Sequence, residues 1–210
     1  MGSSLELLRL LYCLIPDESI RVYTDTLGIS RVKELHLYYT NFSLTDNKVI
    51  EGHFLGVPNV TNLIIESSGV TSLAKNAFKG LEKLEYLKLS NNDITVLDES
   101  AFESLESLSS LNLGENRLAN LSKDLLVSVP NLKKLEINLK RLDKLPVNFF
   151  KNNPQINQLT FHHGGKPGQT LFTSQLLKPL TSLRNVVFQN VKGIESLPAG
   201  LFQVSFIFKW

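Results

Sequence analysis

The 210-residue chain contains little sulfur and no long apolar run. Its single cysteine, Cys13, excludes both an internal disulfide and a zinc site built from cysteines. No segment reaches the roughly 18 uncharged apolar residues that a transmembrane helix needs. The 22 basic and 20 acidic side chains give a formal net charge of +2, which is too balanced to indicate a surface for nucleic acid or anionic membranes. Hydrophobic residues make up 42% of the chain, so the composition is that of a folded protein.

The first residues match no targeting signal well. Residues 5–15 are largely apolar, but Glu6 and Arg9 interrupt them and no small-residue cleavage site follows, as a signal peptide requires. Gly2 resembles the start of a myristoylation site, yet Glu6 stands where that motif needs Ser or Thr. We therefore interpret residues 1–31 as an N-terminal segment that covers the first coil of a repeat array.

Apolar residues recur along the chain with a period of 24 residues. Each copy is apolar at its first, fourth and sixth positions, and the best four copies are Val60–Ile65, Leu84–Leu89, Leu108–Leu113 and Leu132–Ile137. Further copies begin at Val32, Ile156 and Leu183, where two of the spacings lengthen to 28 and 27 residues. This is the leucine-rich repeat pattern, in which each unit is a strand followed by a returning segment.

The pattern predicts an α/β fold, a leucine-rich repeat solenoid or horseshoe with a parallel β-sheet on its concave face. Irregular or short helical segments are expected on the convex face. Residues 32–207 would form an array of about seven coils, and residues 208–210 would begin a truncated further repeat. Because natural arrays end in caps and the last residues here are apolar, we interpret the chain as a piece of a longer array.

Two further columns of residues follow the same period. A large apolar residue stands six positions before each copy, which predicts a buried spine: Phe54, Phe78, Phe102, Leu126, Phe150 and Leu177. Eight positions after the start, Asn92 and Asn116 are expected to turn inward and satisfy backbone groups. Thr40 and Ser68 can replace that asparagine in part. Lys140 and Gly164 cannot, so irregular turns are expected in the coils that begin at Leu132 and Ile156.

No pattern of residues points to catalysis, a cofactor or a metal site. His162 and His163 open the loop HHGGKPG, but a metal site needs three or four convergent ligands, and spacing ties no others to this loop. The interpretation is a solvated histidine pair. The order GGKPGQT does not match a phosphate-binding loop, and no G-x-S-x-G motif occurs. We therefore expect a protein that is not an enzyme.

The side chains between the buried leucines are predicted to face the concave surface, because neighbours along a strand alternate in direction. Solenoid concavities commonly bind partners. The candidate ligand-binding residues are His36, Tyr38, Ile64, Glu66, Lys88, Ser90, Asn112, Glu136, Asn138, Thr160 and His162. A surface that is merely solvated would have a similar composition. Three N-x-[ST] triplets also lie outside the buried positions and are candidate glycosylation sites: Asn41, Asn59 and Asn120.

Several phrases of the repeat resemble one subfamily. The 24-residue period, Asn92 and Asn116, the phenylalanine column, and the phrases Leu145-Pro146-x-x-Phe149-Phe150 and Leu197-Pro198-Ala-Gly-Leu201-Phe202 resemble extracellular leucine-rich repeats. Within these, residues 32–203 are most similar to the amino-terminal ectodomain of arthropod Toll receptors, with residues 132–156 as the nearest part. The cysteine-rich caps, membrane helix and signalling domain of that family do not occur in this chain.

The resemblance implies a non-catalytic, ligand-binding ectodomain in innate immunity or development. It implies a dimeric cystine-knot cytokine of the Spätzle type as the protein ligand, with no nucleic acid, and it allows for a homodimer. The location implied is extracellular or at the cell surface. The alternative is a soluble, secreted leucine-rich immune protein that recognises microbial or complement-like partners. An intracellular scaffold is a third class.

Overall fold

The computed structural model of the chain describes residues 5–15, 19–20, 31–142, 144–163, 171–190 and 196–202. Within these residues the chain forms β-strands joined by turns, with a short 3-10 helix at Ser43–Thr45. The strands are β1 Leu7–Leu11, β2 Glu34–Tyr38, β3 Lys48–Val49, β4 Asn62–Glu66, β5 Ser72–Leu73, β6 Tyr86–Lys88, β7 Val96–Leu97, β8 Ser110–Leu113, β9 Lys134–Asn138, β10 Gln158–His162 and β11 Asn185–Gln189.

Eight of the strands form one parallel sheet in the order β1-β2-β4-β6-β8-β9-β10-β11. Equivalent positions pair in every coil, as where Leu87 of β6 aligns with Leu63 of β4 and with Leu111 of β8. A second parallel sheet, β3-β5-β7, joins the two-residue strands that follow the main ones. The predicted solenoid with a parallel sheet is therefore confirmed.

The sheet begins earlier than the sequence interpretation placed it. β1 pairs with β2 so that Leu8 aligns with Leu35 and Leu10 with Leu37. Leu5, Leu8 and Leu10 follow the spacing of the repeat, 27 residues before the copy that begins at Val32. Residues 7–11 thus contribute an edge strand of the array in addition to covering it. The division of the chain at residues 31 and 207 stays a prediction, and residues 208–210 lie outside the described part.

The core runs between the two sheets as one apolar column. The predicted spine is buried, and its phenylalanine rings stack: the centroids of Phe54 and Phe78 lie 5.7 Å apart, and those of Phe78 and Phe102 lie 6.1 Å apart. Interplanar angles of 19° and 11° make both pairs offset stacks. Leu126, Phe150 and Leu177 continue the column in the later coils, buried like the rings.

The asparagine column acts as predicted in the regular coils. The Nδ2 of Asn92 donates to the carbonyl of Ile65 in the preceding coil at 2.8 Å, and its Oδ1 accepts from the backbone N–H of Ser68 at 3.0 Å. Asn116 repeats the arrangement one coil later, through the carbonyl of Leu89 and the N–H of Ile94. Each amide therefore joins adjacent coils while it satisfies buried backbone groups.

The turn after each strand is left-handed in nearly every coil. Residues with φ between 49° and 56° occupy the same position at Tyr12, Tyr39, Ser67, Asn91, Glu115, His163 and Asn190. The equivalent residue in the coil from Leu132 is Leu139, which is buried and has no such turn, while Lys140 beside it is exposed. The irregular turn predicted for this coil is confirmed. Gly164 and the rest of the loop to Gly168 lie outside the described residues.

Candidate functional site on the concave face

The strand register brings the middle outward positions of all eight strands into one row. The row consists of Arg9, His36, Ile64, Lys88, Asn112, Glu136, Thr160 and Val187. A second row follows two residues later, where Tyr38 aligns with Glu66, and Asn138 with His162. The candidates named from sequence therefore share one face of the sheet. Ligand binding by these residues remains a proposal.

Four of these candidates are buried: His36, Ser90, Asn138 and Thr160. His36 is covered because Arg9 Nε approaches its Nδ1 at 3.4 Å while Glu34 lies 3.5 Å from its Nε2. Burial, followed by the positive charge of Arg9, lowers the pKa of His36 below its usual 6.5, although Glu34 opposes this. Neutral imidazole is thus the favoured form in this part of the sheet.

Sequence reasoning missed a third outward row. The first outward position of each strand also faces the concavity, and the row includes Glu34, Asn62, Tyr86, Ser110, Lys134 and Gln158. Alternation along the strands carried this signal, since these residues lie two positions before the middle row. Burial raises the pKa of the Tyr86 phenol above its usual value. Tyr86 is therefore a neutral, half-buried hydroxyl over the inner sheet.

The amino-terminal half of the face combines apolar rings with an ion pair. Tyr38, Ile64 and Tyr86 are half-buried on adjacent strands, and Lys88 Nζ lies 2.7 Å from Glu66 Oε2 beside them. Burial of the Glu66 carboxyl opposes its ionisation, but hydrogen bonds from Lys88 and Asn91 outweigh this and lower its pKa. The two charges are thus fixed in place, and the rings between them remain available for contact.

The carboxy-terminal half carries a cluster of histidines and carboxylates. His162 Nε2 lies 3.1 Å from Glu136 Oε2, which also accepts from Asn112 Nδ2 at 2.9 Å. His163 Nε2 lies 2.8 Å from Glu115 Oε1, two coils away in sequence. We call the His163–Glu115 contact the clasp, because it passes over the irregular coil from Leu132.

The expected solvated histidine pair is therefore wrong. Spacing could not connect the pair to Glu115 or Glu136, since the approach depends on how the intervening coil turns. In addition, His162 fits there only because a glycine faces it: a Cβ at Gly114 would lie 3.2 Å from ring atoms of His162. Among the described residues, no three His, Cys, Asp or Glu side chains are arranged to hold a metal ion.

The three candidate glycosylation sites lie outside the core. Asn41 and Asn120 are exposed, whereas Asn59 is half-buried and its Oδ1 accepts from Lys83 Nζ at 2.7 Å. The Oδ1 of Asn41 accepts from the N–H of Ser43. Their use remains a prediction. In the described part of the chain, no helix has the length and apolarity to cross a bilayer.

Two family models match the sequence. One, described as a leucine-rich repeat, covers residues 58–129, and the other, a BspA-type leucine-rich repeat region, covers residues 97–203. The second match alone spans half of the chain. The chain belongs to the leucine-rich repeat family. This repeat fold is typical of binding modules without catalytic activity. A search of curated protein sequences gives no significant match.

Solved leucine-rich repeat structures are similar to the chain in fold. One is the crystal structure of a complex of TLR13 with ssRNA13, with a TM-score of 0.67 and 20% identity over 93% of this chain. Another is an internalin (inlF) from Listeria monocytogenes, with a TM-score of 0.54 and 21% identity over 78%. The chain spans 27% and 43% of the lengths of these two proteins. At this identity the matches show a shared fold, including that of a Toll-like receptor.

Proposed function

We propose that this leucine-rich repeat array is the ligand-binding part of a Toll-type receptor ectodomain, outside the cell or at its surface, and that its concave face binds a protein. The observation that carries the proposal is the patch of Tyr38, Ile64 and Tyr86, three half-buried side chains on adjacent strands beside the fixed Glu66–Lys88 pair. Tyrosines on a rigid surface are favoured anchors of protein interfaces.

A protein ligand suits the charge of the face better than a nucleic acid does. The three outward rows hold three carboxylates, Glu34, Glu66 and Glu136, against three cations, Arg9, Lys88 and Lys134. Binding of a phosphate backbone depends on several uncompensated cations. The RNA in the similar complex belongs to TLR13. The balanced face of this chain supports a protein partner instead.

The ligand proposed is a dimeric cystine-knot cytokine of the Spätzle type, in innate immune or developmental signalling. This identity rests on the sequence resemblance of residues 32–203 to the arthropod receptors. A soluble immune protein that recognises microbial or complement-like partners remains the alternative, because it would use the same face.

Size-exclusion chromatography with light scattering, with and without a recombinant Spätzle-type dimer, tests the proposal. We expect a defined complex whose affinity falls about tenfold in the Tyr38→Ala/Tyr86→Ala double variant, because two anchors are lost. The control is Val96→Ala, which changes an exposed residue of the second sheet. A chain that stays unbound with the dimer present would contradict the cytokine as ligand and favour the soluble immune protein.

A further inference from the structure

A polar surface pocket lies beside the concave face, where the strands end. Its volume is about 570 Å³, within the range of ligand sites in proteins. The walls come from the segments that follow β6, β8, β9 and β10, and include Asn91, Glu115, Arg117, Lys140, Arg141 and His163. Four successive coils thus contribute to one cavity.

The pocket owes its form to the irregular coil from Leu132. In the regular coils the left-handed turn residue points outward and the next residue, Asn92 or Asn116, is buried. Here the order is reversed, since Leu139 is buried and Lys140 is exposed. The turn that would fill the space between Glu115 and His163 is therefore missing, and Lys140 and Arg141 border the opening.

The charges around the pocket do not cancel. Arg117 pairs with Asp93 at 2.9 Å, and His163 contacts Glu115 in the clasp. Lys140 and Arg141 are exposed, and neither side chain has an ion-pair partner within the described ranges. The pocket therefore offers two uncompensated cations next to the amide groups of Asn91 and Asn138.

We propose that this pocket binds an acidic segment of the protein ligand, through Lys140 and Arg141. Two cations and neighbouring amide donors complement one or two carboxylates, and a guanidinium binds a carboxylate in a bidentate manner. The carboxylates of Asp93 and Glu115 in the wall would repel an extended polyanion. This inference rests on the proposed function, because the pocket adjoins the face assigned to the ligand.

Binding of a fluorescein-labelled hexaglutamate peptide to the 210-residue chain tests the proposal by fluorescence anisotropy, at low and physiological salt. We expect saturable binding that weakens about tenfold in the Lys140→Glu/Arg141→Glu variant and weakens with salt. Lys151→Glu/Lys178→Glu, at exposed residues outside the pocket, changes the net charge equally and should weaken binding less than about twofold. Circular dichroism confirms that the variants are folded.

Three outcomes would overturn the pocket as an acidic-segment site. They are no binding of hexaglutamate by the folded protein, an equal loss in both charge-reversal variants, and tighter binding of a single-stranded oligouridylate that depends on Lys140 and Arg141. The assay contains no cytokine, so it separates the two proposals. A chain that binds the Spätzle-type dimer but not the peptide keeps the proposed function and loses the pocket. A chain that binds the peptide but not the dimer does the reverse.

Discussion

The coils that begin at Leu84 and Leu108 differ from the coil that begins at Leu132 in how they satisfy the backbone after the strand. In the regular coils a buried amide, Asn92 or Asn116, bonds to the coil before it. In the irregular coil Leu139 takes the inward place, and the Oδ1 of Asn138 accepts only locally, from the N–H of Lys140 at 2.8 Å. Surface side chains from other coils then close the turn.

The comparison shows that one position decides two properties. An inward asparagine links coils internally and leaves a smooth edge, because an outward, left-handed residue covers each turn. An inward leucine adds apolar burial but leaves the edge open for charged groups such as Lys140. Stability resides in the regular coils, whereas the opening for a ligand lies in the irregular one.

The largest expected effect breaks the internal link. Asn92→Ala removes an amide that bonds the backbone of Ile65 and Ser68, so we expect a loss of about 3 kcal/mol in the free energy of unfolding. Asn138→Ala should cost about 1 kcal/mol, because one local bond is lost. Urea unfolding followed by circular dichroism measures both. Asn152→Ala, at an exposed position, is the control, and equal losses for Asn92 and Asn138 would contradict the comparison.

A smaller effect concerns acid stability in the regular part. The pKa of Glu66 lies below its usual 4.5 in the folded chain, so its carboxylate contributes stability above that pH and loses it as the pH falls through the folded pKa. Glu66→Gln should therefore cost roughly 0.5–1 kcal/mol at pH 7 and little at pH values below the folded pKa. Thermal unfolding across pH measures this. Glu106→Gln, an exposed control, should show no such dependence, and a constant deficit in Glu66→Gln would refute the assignment.

The smallest effect concerns the clasp. Glu115→Gln weakens the contact with His163, which is partly exposed, so we expect a change in global stability below about 0.5 kcal/mol. The N–H of Leu139, which donates to the carbonyl of His162 at 2.8 Å, should nevertheless exchange severalfold faster, because the irregular turn opens locally. Hydrogen exchange by NMR measures it, with Glu82→Gln as control. Unchanged exchange at Leu139 would show that the clasp does not hold this turn.

Sequence predicted the features that a local period determines. Leu87, Asn92 and Phe78 follow from spacing alone, because every coil repeats the same environment around them. The outward row of Tyr86 followed from alternation and was overlooked. β1 was missed because its leucines lie between charged residues and one long spacing from the next copy. The clasp was beyond prediction, since Glu115 and His163 are 48 residues apart and meet only because Leu139 turns inward.

The in-register pairing of the main sheet also bears on how the chain folds. The cross-coil hydrogen bonds, such as that from Asn92 to Ile65, join residues roughly one coil apart in sequence. The loop that must close to add a coil is therefore short and nearly constant in length, and its entropic cost does not grow with the array. Folding can nucleate on the stacked rings of Phe54, Phe78 and Phe102 and then propagate coil by coil in both directions.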